Sequence, residues 1–344
     1  MQKTIGIFTI KVPGLQPWDP DSIHKGISGS EEAVIYASQE LARLGYKVFV
    51  FNEPPQGSKH SLPEANPRFI NYFPDHFHFD IIIACRAPQF VEYLRNRAKK
   101  IYFWPQDTVS VRVSQENIDA FDDVFWISSW QRIQWISVNP GFAKFTKIFG
   151  NALQPYQFEV PQQRSNPYSC IYASNYARGL SVLLDAWPHI KMNFPKATLD
   201  IYYGWQHWGT MSEWQERNLR YQLADLQRLD VKEHGLIGHE ELSRAFSRAS
   251  FWTYPCIHAE TFCITAIKAQ LAGAIPVVID GSALTEVVRY GFKCHRKEDY
   301  KDLLLYAMSQ AERISIQDRQ SMGGFIGKEF TWQRMADRWN QLFV

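Results

Sequence analysis

The sequence predicts an α/β protein built as two Rossmann-like domains that face each other across a cleft. Three observations carry that expectation. The chain has 344 residues, enough for two domains of ordinary size, each with its own core. Strand, glycine turn, helix and strand follow one another at the start of the chain and again beyond Cys170, and each such series is one βαβ unit of a parallel sheet. Neither series contains GxGxxG with an acidic residue downstream, nor a Walker sequence, which argues against an oxidoreductase acting on a dinucleotide. The expected boundaries are 1–155 and 156–328, with a terminal helix over 329–344. A ligand of such a fold lies at the carboxyl ends of the strands, in the interdomain cleft.

Composition narrows the function classes. The formal net charge is +2, and both halves are close to neutral, without the strongly basic domain of a nucleic-acid protein. Apolar content is ordinary and aromatic content high, so a packed chain is expected. The 5 cysteines are odd in number and scattered, mostly in apolar runs. They imply no disulfide framework, and the expected setting is a reducing cytoplasm. The opening MQKTIGIFTIKVPG has an apolar run too short for a signal peptide and reads as a first strand. No stretch approaches the ~20 apolar residues of a membrane span, so a soluble protein is expected.

In the first half, Thr4–Ile10 reads as a strand and Lys11–Gly26 as a polar loop. Ser28-Gly29-Ser30-Glu31 then turns into a helix with apolar residues at Ala33, Val34, Ala37, Leu41 and Leu44. Gly45 caps that helix, and Lys47–Phe51 is the next strand. Glu53–Arg68 is proline-rich and polar, a loop. Phe79–Cys85, Lys100–Trp104 and Val124–Ser129 are further strands, with helices expected over Pro88–Arg97 and Trp130–Ser137. Lys144–Gly150 closes the half, and the linker falls near Asn151–Ser165.

The second half opens with a strand at Cys170–Ala173, a helix over Gly179–Met192 and a strand at Thr198–Tyr203, followed by Gly204. A helix over Ser212–Leu229 carries apolar spacing at Trp214, Leu219, Leu223 and Leu226. Thr331–Val344 reads as an amphipathic helix on Met335, Trp339 and Leu342. Between them lies the stretch richest in chemistry, Phe251 to Glu286. It reads as a buried strand (Phe251–Tyr254), a loop holding Glu260, a helix on Ala266, Ile267, Ala269, Leu271 and Ala272, and a strand at Ile275–Ile279. Gly273 stands where a left-handed C-cap is wanted. A loop that enters a helix N-terminus suits a phosphate, whereas a carboxylate at the same corner repels one. The economical ligand has both an anionic and a hydroxylated part.

This stretch resembles the donor site of the retaining glycosyltransferases with the GT-B fold, family 4 (glycosyltransferase group 1), whose signature is two glutamates eight residues apart. Glu260-Thr261-Phe262-Cys263 matches the first half of it, and Lys268 stands where the second glutamate belongs. A lysine donates to a hydroxyl or a phosphate but does not accept. The resemblance implies a nucleotide diphosphate-sugar as co-substrate, no metal or other cofactor, and an acceptor hydroxyl on an unidentified glycan or small molecule. It makes 1–155 the acceptor side and 156–328 the donor side, with the last helix packing back on the first domain. Arg178, just before Gly179, fits the second of two basic residues that grip the pyrophosphate, and Ala173-Ser174 occupies the place of the first. Glu260 and Arg178 are thereby the catalytic candidates. Asp107, in WPQD after the strand Lys100–Trp104, is a third; there the family often carries a histidine, and Gln106 stands nearby. Donor-binding candidates are Gly29 and Ser30 of the first glycine loop, Gly204, Ile237 near the base, His258, Thr261, Phe262, Cys263 and Lys268. The activity implied is hexosyl transfer with retained anomeric configuration, in glycan biosynthesis.

Other readings of the same residues stay open. Glu260 also reads as a solvated loop carboxylate, Arg178 as a surface arginine at a helix start, and Lys268 as a solvated side chain. Cys256, His258 and Cys263 match no zinc spacing. Arg95, Arg97, Lys99 and Lys100 read as a solvated helix face, with a peripheral membrane contact through anionic lipid as the alternative. Most of the tryptophans are expected in the core. A nucleotide-sugar epimerase or hydrolase of the same fold, acting with no acceptor, is the alternative enzyme, and Lys268, Gln106 and Ala173-Ser174 also fit a non-catalytic sugar-nucleotide or glycan-binding protein.

Overall fold

The structure, a computed structural model, describes residues 2–10, 14–71, 76–154, 160–161, 164–205 and 211–343. The chain divides into two compact units. Unit 1 comprises Met1–Ile23, Ile27–Gln154 and Phe330–Val344; unit 2 comprises His24–Gly26 and Pro155–Glu329. Of the expected linker, residues 155–159 and 162–163 lie outside the described residues, as do 11–13 of the first polar loop.

The strands of unit 1 are β1 (Thr4–Phe8), β2 (Lys47–Phe51), β3 (Arg68–Ile70), β4 (Phe79–Cys85), β5 (Ala98–Trp104) and β6 (Asp123–Val124). They pair in parallel in the order β3-β2-β1-β4-β5-β6. Unit 2 repeats that plan with β7 (Ser169–Ala173), β8 (Thr198–Tyr202), β9 (Val231–Gly235), β10 (Phe251–Tyr254), β11 (Ile275–Ile279) and β12 (Phe292–Cys294). Its order, β12-β11-β10-β7-β8-β9, is the same doubly wound arrangement. Near-continuous apolar runs such as Ile275–Ile279 suit strands covered on both faces, and all five of those residues are buried.

The helices that matter below are α1 (Gly29–Arg43), α2 (Val91–Leu94), α3 (Gln115–Asp119), α4 (Ser129–Val138), α5 (Leu180–Asn193), α6 (Glu213–Leu226), α7 (His239–Arg248), α8 (Ile264–Leu271), α9 (Leu284–Val287), α10 (Tyr300–Ser309), α11 (Ile316–Glu329) and α12 (Trp332–Phe343). Ser212 and Gln215 form a capping box that starts α6. Gly45 and Gly273 both hold positive φ, +93° and +76°, as helix-terminating glycines should. α12 belongs to unit 1 and packs against α1. Its anchor is Trp339, fully buried, stacked on Phe125 with centroids 4.4 Å apart and edge-on to Trp104 at 4.8 Å.

Several sequence expectations need correction. Val124–Ser129 is not a full strand: β6 has 2 residues, and beyond it Trp126 makes a single bridge to Ile148. Pro88–Arg97 is two 3-10 turns around the single turn α2, since Pro88 and the return into β5 leave no room for more. Glu53–Arg68 is a loop only to Pro67, because Arg68 opens β3. The buried face of α12 is Trp332, Met335, Ala336, Trp339 and Phe343, while Leu342 is half-buried. The basic run at 95–100 is solvated, but it is not a helix face: Arg95–Arg97 form a 3-10 turn. Lys99 and Lys100 lie in β5, Arg95 pairs with Glu116 at 2.8 Å and Lys99 with Asp80 at 2.7 Å. Of the tryptophans, 104, 126, 187, 252, 332 and 339 are fully buried, whereas Trp214 is 69% exposed.

Replacing Trp339 by alanine should cost about 3–5 kcal/mol, read as a lowered midpoint in urea unfolding. Leu342→Ala should cost about 1 kcal/mol or less. The reverse ranking would refute this account of the α12 face.

Candidate functional site

In a doubly wound sheet, the first and fourth strands are neighbours whose following helices leave toward opposite faces, which opens a crevice at their carboxyl ends. In unit 2 those strands are β7 and β10, paired at Phe251–Cys170 and Trp252–Ile171. The loop after β7 carries Arg178, and the loop after β10 carries Glu260.

Each loop is held by local chemistry. Asn175 forms an Asx turn, its Oδ1 accepting from the Ala177 N–H at 2.9 Å, and the Arg178 N–H returns to the Asn175 carbonyl. Gly179, at φ +94°, then starts α5 against the other loop. A Cβ on Gly179 would lie 1.9 Å from the Pro255 carbonyl oxygen, so only glycine lets these two backbones come this close. On the β10 side, the Glu260 N–H donates to Ser282 Oγ at 2.9 Å, and its carbonyl accepts from the Ala283 N–H at 3.1 Å. Cys263 caps α8 at φ +73°, a left-handed conformation for a residue with a Cβ.

The two loops bring Arg178 and Glu260 into contact. Arg178 Nη1 donates to Glu260 Oε1 at 2.5 Å. The Tyr254 hydroxyl donates to the same oxygen, and Cys256 Sγ approaches it at 3.8 Å. No described residue donates to Oε2, although the Glu260 side chain is only 9% exposed. Arg178 is the more open partner, with its side chain 38% exposed. Burial presses its guanidinium toward neutrality, but the Glu260 charge, with Tyr254 and Cys256 beside it, outweighs burial and holds it above its ordinary value. Burial, and then Glu260, push the Cys256 thiol up to about 11 and the Tyr254 phenol well up, so both stay protonated donors at neutral pH.

The other donor candidates of unit 2 have varied settings. Thr261 is half-buried and Phe262 buried. His258 is exposed, and its carbonyl accepts from Cys256 Sγ at 3.4 Å. Gly204, at φ +75°, donates its N–H to the Tyr176 hydroxyl at 3.1 Å. Ile237 is half-buried between β9 and α7. Lys268 is 5% exposed in α8, which removes the reading of it as a solvated side chain. Likewise Glu260 is not a solvated loop carboxylate.

Gly29, Ser30 and Asp107 belong to unit 1. Gly29 and Ser30 are the first residues of α1. Asp107 makes a bidentate pair with Arg86, at 2.6 and 3.0 Å, and Arg86 Nη1 reaches Glu31 at 2.8 Å. This trio sits at the strand ends equivalent to those of Arg178 and Glu260, after β1, β4 and β5. The difference lies in saturation. Arg86 has three nitrogens on carboxylates, whereas Arg178 has one, and the latter keeps capacity for a further anion. Among the described residues, metal-ligand atoms of His, Cys, Asp or Glu converge in groups of three or more only at Asp19, Asp21 and His60, within 4.8 Å of one another. There Ser58 donates to Asp19 and Lys59 pairs with Asp21.

Sequence reasoning missed Tyr254, Ser282 and the Arg86–Glu31 pair. The signal for Tyr254 was a hydroxyl at the end of an otherwise apolar strand; Ser282 and Arg86 had no local signal.

No protein-family profile and no curated protein matches the chain. Among solved structures it is similar to a sucrose-phosphate synthase from Thermosynechococcus elongatus (15% identity, TM-score 0.74, covering 99% of this chain and 98% of the other). It is also similar to Anabaena HepE in complex with UDP-glucose (14%, TM-score 0.72, 99% of both chains) and to a glycosyltransferase from Rickettsia africae (13%, TM-score 0.75, 99% and 98%). The fold is therefore GT-B, an α/β fold with two parallel sheets. Among the described residues, no helix is long and apolar enough to cross a membrane.

Two outcomes are expected. Gly179→Ala should destabilise the protein by at least about 1–2 kcal/mol, the cost of a left-handed alanine before any clash, seen as a lower melting temperature. Arg178→Met and Glu260→Gln, made singly and together, should show a coupling of about 1–2 kcal/mol in chemical denaturation. The open side of the guanidinium keeps it below that of a fully buried pair. Strict additivity would mean that the pair contributes nothing.

Proposed function

We propose that the protein transfers a sugar from a nucleotide diphosphate-sugar to an acceptor hydroxyl, with retention of anomeric configuration. One observation carries this reading. Arg178 and Glu260 meet at the switch point of unit 2, and no described residue donates to Glu260 Oε2 or occupies Arg178 beyond Nη1. That leaves one acceptor and one cation side by side, which matches a ligand with a hydroxylated part next to an anionic part. The GT-B neighbour HepE, whose structures contain UDP, UDP with glucose, or UDP-glucose, supports a uridine donor.

The chemistry follows from charge. Breaking the anomeric bond loads negative charge onto the departing diphosphate. The remaining guanidinium nitrogens of Arg178 and the N-terminal amides of α8 are the groups to stabilise it, and one preorganised donor of this kind is worth about 3 kcal/mol in the barrier. Glu260 Oε2 accepts from a sugar hydroxyl and holds the ring as the anomeric carbon becomes cationic, a charge-assisted bond of about 1.5–3 kcal/mol. The leaving phosphate takes the acceptor's proton on the same face, so no side-chain base is called for. Lys268, buried on the same helix α8, is a further candidate to supply positive charge.

Glu260→Ala should lower UDP release from UDP-sugars in the presence of acceptor by about 100-fold or more, with the fold intact by circular dichroism. Arg178→Ala should in addition weaken binding of UDP alone. Wild-type turnover in the alanine variant at position 260 would remove that residue from the site. Release of UDP without acceptor, at the same rate, would favour a hydrolase.

A further inference from the structure

We infer that Tyr254 is a positioning residue for the transfer reaction: its hydroxyl fixes the Glu260 carboxylate so that Oε2, and not Oε1, faces the sugar. The inference rests on the transferase reading and goes beyond it to the device that orients the carboxylate. Tyr254 is the last residue of β10 and is completely buried. Its ring is stacked on Trp252, with centroids 5.0 Å apart and planes 19° apart, and lies beside Tyr172 at 5.9 Å. A phenol held in this way has one place to put its oxygen. That oxygen sits between Glu260 Oε1 and Ser174 Oγ, the latter at 3.2 Å.

The three donors to Oε1 differ in what else they do. Arg178 is half-open, and it is the group that a diphosphate would draw on as negative charge grows there. Cys256 is a weak donor at 3.8 Å, and its single S–H has the nearer His258 carbonyl at 3.4 Å to serve. Tyr254 alone combines a short hydrogen bond with a rigid strand. The main chain of Glu260 is already pinned by Ser282 and Ala283, so the remaining freedom is rotation of the carboxylate about its side-chain bonds. With the phenol in place, Oε1 stays occupied while Arg178 turns toward the phosphate, and Oε2 keeps its direction. Ser174, on the turn that carries Arg178, joins the hydroxyl to the cation's own loop.

The test is Tyr254→Phe, which removes one oxygen and keeps the stacked ring. The fold and the affinity for UDP alone should be retained within about two-fold, while kcat with UDP-glucose falls by about 100-fold, the scale of a misdirected reacting group. UDP-glucose affinity should weaken, and in a Glu260→Gln background the same substitution should weaken it no further, because the hydroxyl acts through the carboxylate. Full kcat in Tyr254→Phe, or equal weakening in both backgrounds, overturns the positioning role and leaves the transferase reading standing. A wild-type protein that neither binds UDP nor releases it from a UDP-sugar overturns the transferase reading and the positioning role together.

Discussion

A carboxylate withdrawn from water must be given donors or lose its charge. Glu260 meets that requirement with an arginine from one loop and a phenol from the end of its own strand, both on a single oxygen. Much of unit 2 near its switch point serves this arrangement. Gly179 allows the arginine's helix to start against the Pro255 peptide. The left-handed Cys263 turns the chain into α8 just past the glutamate. Ser282, itself at φ +52°, lends its hydroxyl to the glutamate's N–H. Backbone conformations that side-chain-bearing residues seldom adopt thus gather around one ion pair, a pattern seen where the surrounding structure holds functional groups in place.

The comparison with unit 1 sharpens the meaning of that pair. Both sheets have the same strand order, and in both an arginine and a glutamate meet across the first and fourth strands. In unit 1 the glutamate follows the first strand and the arginine the fourth; in unit 2 the positions are exchanged. Arg86 is closed off by Asp107 as well as Glu31, and burial raises the Glu31 carboxyl despite Arg86 beside it. That trio consumes its own charge. The unit 2 pair is short of partners by one acceptor oxygen and most of a guanidinium. The same topology therefore yields an internal tie in one case and a receptive pair in the other, and the deciding variable is one additional aspartate.

Elements with strong patterns were legible in the sequence because a single physical signal set each of them. β4, β10 and β11 are apolar runs between breakers, and α1 and α6 show helical spacing with glycine or serine at their ends. The failures share a cause as well. β3 has 3 residues, pinned into the sheet through pairing with β2, and nothing local distinguishes Arg68-Phe69-Ile70 from the loop before it. Val124–Ser129 is apolar enough for a strand, yet Phe125 and Trp126 are buried by packing on α12 and the surrounding aromatic cluster and not by a second partner strand. At the site, Arg178 and Glu260 were readable as chemistry at the ends of strands. Their contact, 82 residues apart in the chain, was not. Tyr254 was hidden because a tyrosine ending an apolar strand is ordinary until the oxygen beside it is known.

The departures from the family-4 pattern can be placed in the same network. Where that pattern has an arginine, this chain has Ala173-Ser174, and the Ser174 hydroxyl lies against Tyr254, which in turn donates to Glu260. The turn after β7 thus carries a neutral hydroxyl that is linked through Tyr254 to the carboxylate. Arg178 is the one cationic side chain of that turn, and Glu260 together with Tyr254 and Cys256 holds its guanidinium above its ordinary value against burial. A second cation beside it would compete for Oε1 and repel the first. Hydroxyl and phenol supply hydrogen bonds without that repulsion, so Glu260 Oε1 has a neutral phenol donor beside the one arginine.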